Sequence, residues 1–135
     1  MVSKLKYGNT NSFLVQGESG YLLVDTDYAG TMPAFYGAIK EHNIKISDIS
    51  YVLATHYHPD HIGLVSELMK QGVKLLVIDT QCLQIHYSDE IFNRDKRFNY
   101  EPIDEENVEL KADWKLVMSY NPKVIYYAHA NEKIL

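Results

Sequence analysis

The stretch ISYVLATHYHPDH, residues 49–61, constrains the fold more than any other. Ile49 to Ala54 is a short apolar run rich in strand formers, and it empties directly into Thr55-His56-Tyr57-His58-Pro59-Asp60-His61. Pro59 fixes its own φ and keeps His58 out of helical geometry. The chain must therefore hold a strand that ends in a stiff elbow and restarts as a helix. His56 and His58 lie two apart on extended backbone, so their side chains lean the same way. Asp60 and His61 then open the helix. Three of the six histidines and a carboxylate converge on one pocket. Imidazole nitrogen and carboxylate oxygen suit zinc, and also iron or manganese. A polar loop with accidental histidines is the plain alternative, and the strand-to-helix setting argues against it.

The flanking segments repeat the strand–helix alternation. Ser12 to Gln16 and Tyr21 to Val24 read as a hairpin around a Gly17–Gly20 turn, closed by Asp25-Thr26-Asp27. Met32, Phe35, Tyr36 and Ile39 fall on one helical face, with Thr31 as N-cap and Pro33 in the first turn. That helix ends near His42-Asn43, and His42 reads as a solvated C-terminal residue. Ile62, Val65, Leu68 and Met69 form a second stripe ended by Gly72, and Val73 to Ile78 reads as the next strand. Leu110, Trp114, Val117 and Met118 mark a last helix stopped at Asn121-Pro122, and Lys123 to Tyr127 a last strand leading to His129. Strands alternating with helices imply an α/β sheet with helices packed on it.

At 135 residues the chain is sized for a single domain, residues 1–135. Its apolar fraction of 46% and charged fraction of 23% are globular. The net charge of −5 argues against nucleic acid or an anionic membrane as partner. The N-terminus lacks the apolar core of a signal peptide, and no apolar run has the length of a membrane span. Cys82 is the one cysteine, which excludes an intrachain disulfide and suits a reducing, cytoplasmic setting. It reads as a small buried hydrophobe.

His-x-His-x-Asp-His after an apolar strand resembles the signature of the metallo-β-lactamase superfamily of metal-dependent hydrolases. NTNSFLV, YLLVDTDYAG, VLATHYHPDHIG and NPKVIYYAHA are similar to that superfamily's segments, in order, over about residues 7 to 79 and 107 to 131. The resemblance implies an αββα sandwich with one or two zinc ions, iron or manganese being alternatives. His56 and His58 would serve the first metal. Asp60 and His61, with His129, would serve the second. Asp60 would also orient a metal-activated water, the nucleophile. Asp25 matches the aspartate after the early strand that supports the metal loop; a simple turn residue is its other reading.

The chain departs from the family pattern in one respect. The family places a third histidine and a bridging aspartate in a central segment, and no matching loop is present. Distance along the chain would suit His129 to that third position, whereas its context, near the chain end after NPKVIYY, suits the last ligand; the context decides. His86, in CLQIHYSD, reads as an exposed or satisfied histidine. The fold is thus expected to be an incomplete metallo-β-lactamase-like sandwich, with some strands missing and an internal gap between about residues 100 and 111. The uncovered surface implies a homo-oligomer, most simply a dimer.

Two functions follow. One is a metal-dependent hydrolase acting on an ester-like or phosphodiester bond of a small molecule. The other is a catalytically impaired or inactive relative that serves as a metal-binding or oligomerising module. In a third arrangement a second subunit completes the site through Asp79, Asp104 or His86. Lys74, Arg94 and Arg97 are available to an anionic group, although a solvated surface is the plainer role for each.

Overall fold

The computed structural model describes residues 1–77, 115–126, 128–129, 131 and 133–134. Five strands form one sheet in the order β1-β2-β3-β4-β5: β1 Val2–Lys6, β2 Asn11–Gly17, β3 Gly20–Val24, β4 Ile49–Leu53 and β5 Lys74–Leu76. β2 runs antiparallel to both β1 and β3, whereas β4 is parallel to β3 and β5 to β4. The parallel pairs are joined through α1 (Met32–Glu41) and through α2 (Pro59–Ile62) with α3 (Val65–Lys70). A second sheet pairs β6 (Val124–Ile125) with β7 (Lys133–Ile134). This is the α/β architecture expected. Among the described residues no helix is long and apolar enough to cross a membrane.

The register places Leu14, Leu23, Val52 and Leu75 side by side across four strands. Leu14, Leu23 and Val52 are fully buried and join Phe35 and Ile39 of α1 in one core. Each such side chain removed from water contributes about 1.5–3 kcal/mol. Alternation turns Phe13 to the opposite face. There its ring meets that of Tyr126, centroids 5.3 Å apart, so the segment leading out of β6 lies on the second face of the sheet.

Several local expectations are corrected. The β2–β3 turn is two residues, Glu18-Ser19, because Gly17 and Gly20 already pair with each other. Gly20 has φ +128°, and a Cβ there would press on the Asp48 carbonyl at 2.7 Å. The edge strand β1 carried no sequence signal, since only Leu5 of VSKLK is buried. In α1, Ala38 is buried while Tyr36 is exposed and donates its hydroxyl to Gln71 Oε1 at 2.8 Å. Thr31 occupies the N-cap position, yet its hydroxyl donates back to Tyr28 O at 2.7 Å and caps no helical N–H.

The stripe from Ile62 to Met69 is two helices rather than one. Gly63 passes so close to the Asp27–Ala29 backbone that a Cβ would collide with it. The break turns Leu64 fully inward and leaves Met69 48% exposed. Gly72 follows α3 with φ +97°, the left-handed C-terminal position expected for glycine. Residues 115–119 are helical, but Val117 and Met118 are exposed rather than packed. Asn121, at φ 51°, follows that helix as expected. Leu110, Trp114, Cys82, His86, Asp79, Asp104, Arg94, Arg97 and the expected gap lie outside the described residues.

Candidate metal site

The site is built where two parallel strands end together. Val24 pairs with Leu53, so the residues that follow each strand meet at one edge of the sheet. Asp25 turns into the left-handed region, φ 57°, while its N–H still bonds Leu53 O at 2.8 Å. That turn aims its buried carboxylate across at the residues following β4. Asp25 Oδ1 accepts the Thr55 N–H at 2.7 Å, and Oδ2 accepts the Thr55 hydroxyl at 2.8 Å. Asp25 Oδ2 also lies 2.9 Å from His61 Nδ1.

The elbow folds as the sequence implies. His58 is extended, with φ −75° and ψ 152°, and stands as N-cap of α2, whose first residue is Pro59. Asp60 and His61 therefore sit in the first turn. Thr26 then fastens that turn to the sheet. Its N–H and its hydroxyl both donate to His61 O at 3.0 Å, and its hydroxyl accepts the Leu64 N–H at 3.3 Å.

His129 arrives from the far end of the chain. Asn11 N–H donates to Ala128 O at 2.6 Å, and the Phe13–Tyr126 ring pair anchors the same segment. His61 Nε2 and His129 Nε2 are 3.3 Å apart. Asp60 Oδ2 lies 3.5 Å from His61 Nε2 and 3.4 Å from His129 Nε2. These three atoms form a nearly equilateral triangle. The His61 side chain is 1% exposed, that of Asp60 18% and that of His129 56%, so the triangle opens to solvent on the His129 side.

The triangle's dimensions suit a metal ion. Tetrahedral ligands about 2.0–2.1 Å from zinc lie about 3.3 Å from one another. The protonation pattern fits as well. The Asp25 carboxylate 2.9 Å away favours the hydrogen of neutral His61 on Nδ1, which leaves a lone pair on Nε2. That lone pair faces a carboxylate oxygen, and two acceptors so close need a proton or a cation between them. Burial pushes the pKa of His61 down, but the hydrogen bond to Asp25 and the charges of Asp25, Asp60 and Asp27 outweigh it, and the net shift is upward. The same carboxylates would also attract a cation.

His56 and His58 lie alongside. Their ring centroids are 4.5 Å apart, and His56 is 3.9 Å from the ring of His61. Burial, then the neighbouring His61 and His58, hold the pKa of His56 below its ordinary value, which favours the neutral form. Among the described residues, Asp60, His61 and His129 are the one set of three such groups with all ligand atoms within 4.8 Å of one another.

Thr10, Thr26, Asp27, Thr55 and Gly63 were not singled out as site residues in the sequence. They act on the site through backbone, hydroxyl or, at Asp27, carboxylate contacts, for which sequence offers no periodicity. The readable signal was the Asp25-Thr26-Asp27 turn itself, directly after an apolar strand.

A family model for the metallo-beta-lactamase superfamily matches residues 5–80. A putative diflavin flavoprotein A 2 from Synechocystis sp. is 27% identical over 92 residues, covering 67% of this chain and 15% of that protein. The human metallo-beta-lactamase domain-containing protein 1 is 33% identical over 76 residues, covering 56% of this chain and 28% of that protein. Among solved structures, a metallo-beta-lactamase from Cronobacter sakazakii superposes with a TM-score of 0.56 at 24% identity, covering 62% of this chain and 34% of that one. The Rm3 metallo-beta-lactamase gives 0.54 at 23% identity, covering 61% and 31%. At these identities the structures bear on the fold alone. The chain spans less than a third of the length of either curated relative.

Proposed function

This chain belongs to the metallo-beta-lactamase superfamily, and we propose that it is a metal-dependent hydrolase whose principal ion is held by Asp60, His61 and His129. The observation that carries this reading is the triangle of ligand-type atoms, with edges of 3.3, 3.4 and 3.5 Å, open to solvent on one side. Zinc is the ion proposed, since two imidazoles and a carboxylate leave it an open coordination position. When bound, the ion supplies Lewis acidity and a water activated near neutral pH.

The protein's own groups do the rest. Asp25, 2.9 Å from His61 Nδ1, favours the tautomer that leaves Nε2 free for the ion. Asp60 holds its carboxylate at the mouth, where it also orients the attacking water. His129 forms the exposed rim past which a small-molecule substrate enters. The bond cleaved is an ester-like or phosphodiester bond. His56 and His58 offer a second, two-histidine position beside the first. The protein is further proposed to be a homodimer covering exposed apolar residues such as Leu116, Val117 and Met118. A monomer at micromolar concentration by light scattering contradicts that part.

The test combines metal analysis of protein purified without added metal with turnover across ester and phosphodiester panels. The reading expects zinc in the protein and turnover lost on chelation. Zinc without turnover favours a second reading, a metal-binding module. The observation on that side is that His56 and His58 join no three-ligand set among the described residues.

A further inference from the structure

The turn closing β3 supplies two buried carboxylates, Asp25 and Asp27. Asp25 touches His61 directly. Asp27 reaches the triangle through one intermediary. Its Oδ2 accepts the Thr10 N–H at 3.2 Å, while its Oδ1 accepts the Tyr28 N–H at 2.7 Å. The Thr10 hydroxyl in turn donates to Asp60 Oδ2 at 3.3 Å. This is the same oxygen that stands 3.5 Å from His61 Nε2 and 3.4 Å from His129 Nε2. Thr10 is fully buried and Asp27 is 1% exposed. The loop before β2 lies directly on Asp27, for a Cβ at Gly8 would overlap its carboxylate.

We propose that Thr10, seated by Asp27, is a positioning residue that selects which oxygen of Asp60 faces the two imidazole nitrogens. An aspartate χ2 is broad and roughly two-fold, so an unbraced carboxylate presents either oxygen at little cost. A hydroxyl on Oδ2 removes that freedom and occupies one lone pair, leaving another toward the gap between the histidines. The two ligands carried by α2 are thus braced in parallel from one three-residue turn: His61 by Asp25, and Asp60 by Asp27 through Thr10. Outer partners of this kind govern the affinity of the ligands they hold. The inference rests on the reading of Asp60, His61 and His129 as a metal site.

Thr10 also has a structural contact, its N–H to Asp27, and substitution of the side chain leaves that donor in place. Thr10→Val removes the hydroxyl alone at nearly constant shape, and Thr10→Ser restores it. The experiment measures zinc affinity by chelator competition for both variants and the unsubstituted chain, the absorption of the cobalt-loaded forms, and thermal unfolding of the metal-free forms. Thr10→Val is expected to bind zinc about 10-fold more weakly, with shifted cobalt bands, and Thr10→Ser to return within about 3-fold. Asp27→Asn keeps one acceptor oxygen for two N–H donors and is expected to change affinity in the same direction by less. Should Thr10→Val fail to fold, Thr10→Ala carries the same expectation. A folded Thr10→Val or Thr10→Ala with unchanged affinity and cobalt spectrum overturns the inference while leaving the metal site standing. Failure of Thr10→Ser to recover also overturns it. Absence of zinc binding by the unsubstituted chain overturns the metal site itself, and this inference with it.

Discussion

The seven residues from Thr55 to His61 feed two neighbouring groups of ligand-type side chains that differ in what stands behind them. His61 has a carboxylate on its far nitrogen, Asp60 has a hydroxyl on its inward oxygen, and His129 completes their triangle from the chain's other end. His56 has a contact between its Nδ1 and the Thr55 hydroxyl at 3.2 Å, and His58 is exposed. The first group is oriented by the turn after β3, the loop before β2 and the segment after β6. The second, among the described residues, is held by contacts within the elbow, with Thr55 tied to Asp25 behind it. On the proposed reading, ligand-type residues in sequence mark where a metal could bind, and the residues that hold them, with a third ligand, distinguish one position from the other.

That contrast can be broken at several points. The largest effect is expected from His61→Ala, which removes the buried imidazole of the proposed site together with one partner of Asp25. Zinc affinity by chelator competition should fall by more than the roughly 10–100-fold typical of an outer partner. Asp25→Asn should fall within that range of about 10–100-fold, because the amide can no longer accept from both Thr55 and His61 Nδ1. Gly63→Ala should lower the stability of the metal-free chain by about 1–3 kcal/mol in denaturant titration, since its methyl meets backbone rather than a flexible side chain. His58→Ala should be mildest, with zinc affinity at the triangle changed by less than about 3-fold. A His58→Ala variant that loses as much affinity as His61→Ala would reverse the ranking of the two groups.

Much of this was legible in the sequence, for identifiable reasons. The α1 face follows from periodicity at Met32, Phe35 and Ile39, though not at Tyr36, the strands on either side of it from short apolar runs, and Pro59 dictates an extended His58 at the start of α2. His129 could be tied to the elbow only through family resemblance, because what brings it there is a main-chain bond from Asn11 to Ala128 and a ring pair between Phe13 and Tyr126. The edge strand β1 escaped notice because an edge needs only one buried side chain, Leu5. The break between α2 and α3 escaped notice because it arises from a close approach between Gly63 and a loop more than thirty residues away in sequence. Thr10 and Asp27 were invisible for the same reason. A threonine before a strand and an aspartate after one read as turn residues until the two strands are laid side by side.

The central claim is that His129, although it lies far from the elbow in sequence, completes the metal site with Asp60 and His61. Zinc per chain, measured on protein purified without added metal for the unsubstituted chain and for His129→Ala, tests it most directly. The His129 side chain is 56% exposed, so the variant should fold normally. The expected result is zinc in the unsubstituted chain and its loss from His129→Ala. A folded His129→Ala that retains the same zinc content would contradict the assignment.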